Sequence, residues 1–142
     1  MRVFLLIDTA DEPAVIALAT ARKVLAESTL ADRKRLSEEL LSRIDWLCAE
    51  SGTKLAGLSA IGIVNGPGPF TALRIGTAVA NALGYAHKLP LVPVDRETAP
   101  SLLAFAKLVA ERLQKRDVVK AVLPNYGREP TITPPKDRRG TR

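Results

Sequence analysis

The stretch Asn65 to Gly76, NGPGPFTALRIG, decides how the rest of the chain is read. Upstream, Leu58–Val64 (LSAIGIV) is an apolar run of strand length, and downstream Thr71 to His87 carries helical periodicity. A loop punctuated by glycine and proline therefore joins a buried strand to a helix. At such a junction, backbone N–H groups and the positive helix end can receive an anion. The spacing matches neither the dinucleotide-fold glycine pattern nor the GxxxxGK of a P-loop, and Pro67 and Pro69 have no N–H to donate. The residues alone favour a rigid turn over a phosphate cradle.

The helix that follows is more informative than the loop. Ala72, Gly76, Ala80 and Gly84 recur every fourth position, so their small side chains line a shallow groove. Glycine inside a helix costs about 1 kcal/mol relative to alanine, so Gly76 and Gly84 call for another element in close approach. Ile75, Val79, Ala82, Leu83 and Ala86 supply a second apolar face. Two apolar faces ask for two packing partners.

Outward from this unit, the apolar runs Arg2–Ile7, Ala14–Thr20 and Lys23–Thr29, separated by short polar turns, predict an antiparallel meander. Over Asp32–Glu50 the period changes, and Leu36, Leu40, Leu41, Ile44, Leu47 and Cys48 mark one face of a helix ending at Ser51-Gly52. Leu89–Val94 predicts a further strand. Thr98, with Pro100 just inside, predicts the start of a third helix whose apolar face runs from Leu102 to Leu113, and Val118–Leu123 predicts one more short strand. The order implies an α/β fold with helices packed on a mixed sheet. One domain over residues 1–123 and a tail over 124–142 with a basic, flexible end are expected.

At 142 residues and 46% hydrophobic content the chain can bury a core of single-domain size. A single cysteine, Cys48, forms no internal disulfide, and the opening MRVFLLID lacks signal-peptide character, so a cytoplasmic location is expected. No apolar run approaches the roughly 20 residues of a membrane-spanning helix. The net charge of +6 gathers at Arg33–Arg35 and near the C-terminus, which suits a nucleic acid as neighbour, while 4% aromatic content argues against a base-stacking platform. Asp8 ends the first strand, where it can cap the Thr9-Ala10 turn or face a metal-linked phosphate. His87, the only histidine, reads as a surface residue at a helix end, and Cys48 as a buried thiol. No metal site is expected.

GPGPFTALRIG resembles the GPGSFTGLRIG signature of the TsaB family, also called YeaZ. LLIDTA, SEELLSRID, GLSAIGIVNGPG and LPLVPVD resemble further segments of that family, and PNYGREPTIT resembles its closing PxYxR segment. Pro69 stands for the usual serine, Ala72 for glycine and Leu36 for a frequent histidine. The resemblance implies an actin-like or RNase H-like domain in a shortened form without the second lobe. It also implies a non-catalytic subunit that binds TsaD, the threonylcarbamoyltransferase acting on the adenosine beside the anticodon in tRNAs reading codons that begin with A.

On that reading the TsaD interface uses the first two helices, through Leu36, Leu40, Ile44, Ala72, Arg74, Ile75, Gly76, Val79, Ala80, Leu83 and Gly84. TsaE joins a larger assembly, tRNA is an indirect partner, and the chain alone is expected either to form a weak homodimer or to depend on TsaD. The chain requires no cofactor of its own; ATP or ADP would sit in the complex, near Asp8, Thr9, Gly66, Gly68, Thr71 and Arg74. Two rival readings remain from the residues: a small actin-like ATP-dependent phosphotransferase or hydrolase using Asp8 and the glycine loop, and a homodimeric interaction module.

Overall fold

In the computed structural model, which describes residues 1–126, β1 (Phe4–Asp8), β2 (Ala14–Ala19) and β3 (Val24–Leu30) form the expected antiparallel meander. β1 and β2 are apolar at nearly every position because both their faces are covered, whereas β3 alternates between half-buried and exposed. β4 (Ala60–Gly66) and β5 (Leu91–Asp95) run parallel to β1, giving a mixed five-stranded sheet of order β3-β2-β1-β4-β5. The α/β reading holds, with the meander on one side of β1 and the parallel strands on the other.

The alternation of β1 divides the interior into two cores. Leu5 and Ile7 pack with Leu40 and Ile44 of α1 (Leu36–Glu50) and with Ala80 and Leu83 of α2 (Phe70–His87). Phe4 and Leu6 pack on the opposite face with Phe105 and Val109 of α3 (Leu102–Gln114). Cys48 is buried with α1, and that burial pushes its thiol pKa up, in keeping with an inert packing residue.

Local chemistry moves some boundaries. Asp32 accepts from Lys34 N and caps a 3-10 turn over Arg33–Arg35, so α1 itself starts only at Leu36. α3 does not begin at Thr98. Asp95 caps another 3-10 turn, Arg96–Thr98, and Ser101 Oγ accepts from Ala104 N at 3.1 Å as the helix cap. Val118–Leu123 is not a strand: it makes only the antiparallel bridge Leu91–Val119. Instead the side chain of Asn81 receives the segment, its Oδ1 accepting from Val122 N at 2.7 Å and its Nδ2 donating to Val122 O at 3.0 Å. Residues 127–142, which hold most of the expected tail, lie outside the described residues.

The groove of small residues on α2 faces the chain's own sheet. A Cβ on Gly76 would collide with Thr9 Oγ1 and stand 3.0 Å from Thr9 Cγ2, and one on Gly84 would stand 2.8 Å from Leu91 Cδ2. Glycine at these positions lets the helix backbone reach β1 and β5. The Thr9 hydroxyl is fully buried there and has no hydrogen-bond partner among the described residues.

Gly76→Ala is expected to destabilise by about 1–2 kcal/mol, because overpacking outweighs the gain of about 1 kcal/mol in helix propensity. Thr9→Ala in the same chain removes the colliding atoms, so urea unfolding of both single variants and the double variant should show a favourable coupling of about 1 kcal/mol or more. Additive effects would mean that the two residues do not meet.

Candidate functional site

The glycine loop leaves β4 through Asn65 and Gly66, and Gly66 has φ +138°, a conformation that only glycine adopts readily. Its bare face is filled: the carbonyl oxygen of Asn125 lies where a Cβ would stand. Asn65 holds that segment by accepting from Asn125 N at 2.7 Å and donating from Nδ2 to Leu123 O at 3.1 Å. Gly68 lies against the Ala10 backbone, 2.9 Å from an added Cβ. Both glycines expected near a phosphate are thus occupied by the chain itself. Just beyond, Phe70 stacks on Tyr126 with ring centroids 3.7 Å apart.

Asp8 and Thr9 are neighbours in sequence but open on opposite faces of the sheet. Thr9 lines a small cavity with Leu36 and Ala72, on the α1 and α2 side. Asp8 lines a cleft of about 430 Å³ with Asp11, Glu27, Arg96, Ser101 and Phe105, on the α3 side. The Asp8 carboxylate accepts from Ala10 N at 2.9 Å, so it caps the turn. Its pKa is raised, chiefly by burial, with Asp11 adding to the rise and the bond from Ala10 opposing it. Thr71 and Arg74 are exposed on the outer face of α2. The residues expected around a nucleotide are therefore not gathered into one site. Among the described residues, no three His, Cys, Asp or Glu side chains form a metal-binding group.

The interface residues divide in the same way. Leu36, Leu40, Ile44, Ala72, Gly76, Ala80, Leu83 and Gly84 are buried within the chain, which corrects the expectation that they meet a partner. Arg74, Ile75 and Val79 keep open surface. The outward face of α2 is a second alanine stripe, Ala78, Ala82 and Ala86, with Thr71, Arg74 and Tyr85, the last 88% exposed. Helical spacing alone shows both stripes; the glycines mark the inner one, since only there does another backbone or side chain come too close for a Cβ.

On α1, Arg43 Nη1 reaches Ser28 Oγ and Thr29 O of β3, which fixes the flank turned to the meander. Trp46, 52% exposed, is one turn further along that flank. Leu41, 47% exposed, lies round the helix on the flank toward α2, where Ile75 and Val79 pack against the shared core. Ile75, Ala78, Val79, Ala82 and Tyr85 thereby make one largely apolar, outward surface of α2.

The sequence model of the family described as "TsaD: tRNA N6-adenosine threonylcarbamoyltransferase" matches residues 23–113. The chain belongs to this family. Within it, the similarity is to the TsaB (YeaZ) proteins, as the loop implied. The chain is 32% identical over 118 residues to the tRNA threonylcarbamoyladenosine biosynthesis protein TsaB of Haemophilus influenzae, an alignment covering 83% of this chain and 48% of that protein. It is 35% identical over 91 residues to TsaB of Escherichia coli, covering 64% and 39% respectively. The solved structure of YeaZ from Pseudomonas aeruginosa superposes with a TM-score of 0.62 at 28% identity, over 67% of this chain and 44% of that one. The chain thus spans less than half the length of these TsaB-type relatives. No helix among the described residues is long and apolar enough to cross a membrane.

Two outcomes follow for this TsaB-type chain. Because the folded state raises the Asp8 pKa, it binds the proton more tightly than the unfolded chain does, and stability falls as pH rises from the ordinary carboxyl range through the raised value. Asp8→Asn keeps the acceptor for Ala10 N and should flatten that part of a thermal-unfolding pH profile without lowering stability at pH 7; a clear loss at pH 7 would count against burial as the dominant cause. Asn81→Leu removes both bonds to Val122 and should weaken the fold by about 1–3 kcal/mol. Hydrogen exchange at Val122 should rise well before the strands open, and unchanged exchange would contradict the assigned pairing.

Proposed function

We propose that the chain is a non-catalytic TsaB-type subunit that binds a TsaD-type protein and supports threonylcarbamoylation of the adenosine beside the anticodon in tRNAs reading codons that begin with A. Family membership supplies the pathway. One observation supports the mode of action: α2 presents an outward stripe of Ala78, Ala82 and Ala86 flanked by Ile75, Val79 and Tyr85, and Leu41 is exposed on α1. An exposed apolar surface of this kind on a helix pair favours docking of a partner's helices, because short alanine side chains permit close axial approach. Arg74 stands at its edge, able to pair with a partner carboxylate.

The non-catalytic part of the proposal is supported by the self-filled glycine loop and by Asp8 serving as a turn cap. In this reading TsaD performs the chemistry, TsaE joins the larger assembly and tRNA is met indirectly. Any ATP or ADP is held in the complex rather than by this chain alone.

Co-purification with the cognate TsaD, followed by a tRNA modification assay with and without the chain, tests the proposal. Ala82→Glu places a charge in the middle of the stripe and should weaken the complex by about 2 kcal/mol or more, roughly a 30-fold rise in Kd, with unchanged thermal stability. Failure to form a complex, together with full modification in the absence of the chain, would sink the proposal.

A further inference from the structure

A mixed sheet with two free edges exposes rows of unpaired N–H and C=O groups that a second chain can extend. Here both edges carry obstacles. On β5, Leu91 exchanges both of its backbone bonds with Val119, at 3.0 and 2.9 Å. Residues two apart point the same way, so Pro93 and Asp95 continue that outer row. Pro93 has no N–H, and its carbonyl accepts from Arg112 Nη1 at 2.8 Å. The Asp95 carbonyl accepts from Thr98 Oγ1 at 2.7 Å. Every outward carbonyl of β5 therefore already has a donor within the chain.

Among the described residues β3 has β2 as its one strand neighbour, and its burial pattern leaves alternate residues open. Arg43 Nη1 donates to the Thr29 carbonyl at 3.0 Å, an exposed bond. Glu27 is exposed at the midpoint of Val24–Leu30. If two copies paired antiparallel about that midpoint, Glu27 would stand directly opposite its own copy, and like charges in that position are destabilising. The register shift between Leu18 and Ala19 further breaks the regular edge geometry near Val24.

We propose that the sheet is closed to strand addition at both edges, with Arg43 and Glu27 guarding β3, and Arg112, Pro93 and Val119 guarding β5. A second copy of this chain is then refused by the sheet, and self-association is confined to the helical surfaces. This does not depend on the TsaD reading, since it concerns the edges whatever the helices bind.

The test uses the full chain. Sedimentation equilibrium over a wide concentration range is combined with hydrogen exchange of residues 24–30. For the natural sequence, no protection of β3 amides should develop with concentration, and any self-association should protect residues 75–86 instead. Glu27→Thr with Arg43→Leu should associate at a concentration at least 10-fold lower, with new protection within residues 24–30. The inference fails if this variant, folded by circular dichroism, associates no more than the natural chain, or if the natural chain already pairs through β3. Should the double variant not fold, Glu27→Thr alone carries the test, because it leaves the Arg43 bond intact and removes only the opposing charges; it should show a smaller shift in the same direction. No shift in that variant would also overturn the inference.

Discussion

The close approach of α2 to the sheet at Gly76 is the contact on which the arrangement depends. A helix with a full side chain there could not rest on Thr9, and the whole α2 axis would have to lift from β1. With the helix seated, Ala72, Ala80 and Leu83 complete the core shared with α1, and the opposite side of the same helix is turned to solvent. The inner glycines therefore determine which alanines are left outside. Packing energetics and surface identity are set by one helical register.

The same seating organises the loop. Because β4 feeds α2 through Gly66 with a positive φ, the returning segment at Asn125 can lay its backbone directly on the glycine. Two asparagines far apart in sequence, Asn65 and Asn81, then hold that segment with side-chain amides in place of a strand partner. A side-chain amide carries both N–H donors and a carbonyl acceptor, as a peptide group carries both functions, so it can stand in for a single step of a ladder. The loop's glycines serve internal packing, which explains how a motif with two prolines can still require glycine.

Much of this was legible in the sequence, and the exceptions share a cause. Element identity was legible, since β1 and β2 are short continuous apolar runs bounded by polar turns and α1 is set by the spacing of Leu36, Leu40 and Ile44. The direction each α2 face takes was not legible, because Ala72-Gly76-Ala80-Gly84 and Ala78-Ala82-Ala86 are both apolar and both helical; only the proximity of Thr9 and Leu91 distinguishes them. The start of α3 was misread because Thr98 and Ser101 are both competent caps, and Asp95 recruited Thr98 into a separate turn. The segment after α3 was read as a strand from its apolar content, yet beyond the single bridge of Val119 to Leu91 its Val122 and Leu123 backbone groups are met by the side chains of Asn81 and Asn65. Likewise, Asp8 and Thr9 look like one site in sequence, but strand alternation sends them through opposite faces of the sheet.

The placement of Trp46 has an optical consequence. It is the chain's single tryptophan, and it sits half-exposed on the flank of α1 turned toward β3. Half of its surface stays open to water in the folded protein, so folding changes its hydration less than that of a core residue. The α2 surface lies round the other side of the helix pair, while the edge of β3 lies beside the indole. Intrinsic fluorescence is thus a local reporter for one margin of the sheet and nearly blind to the other margin and to events on α2.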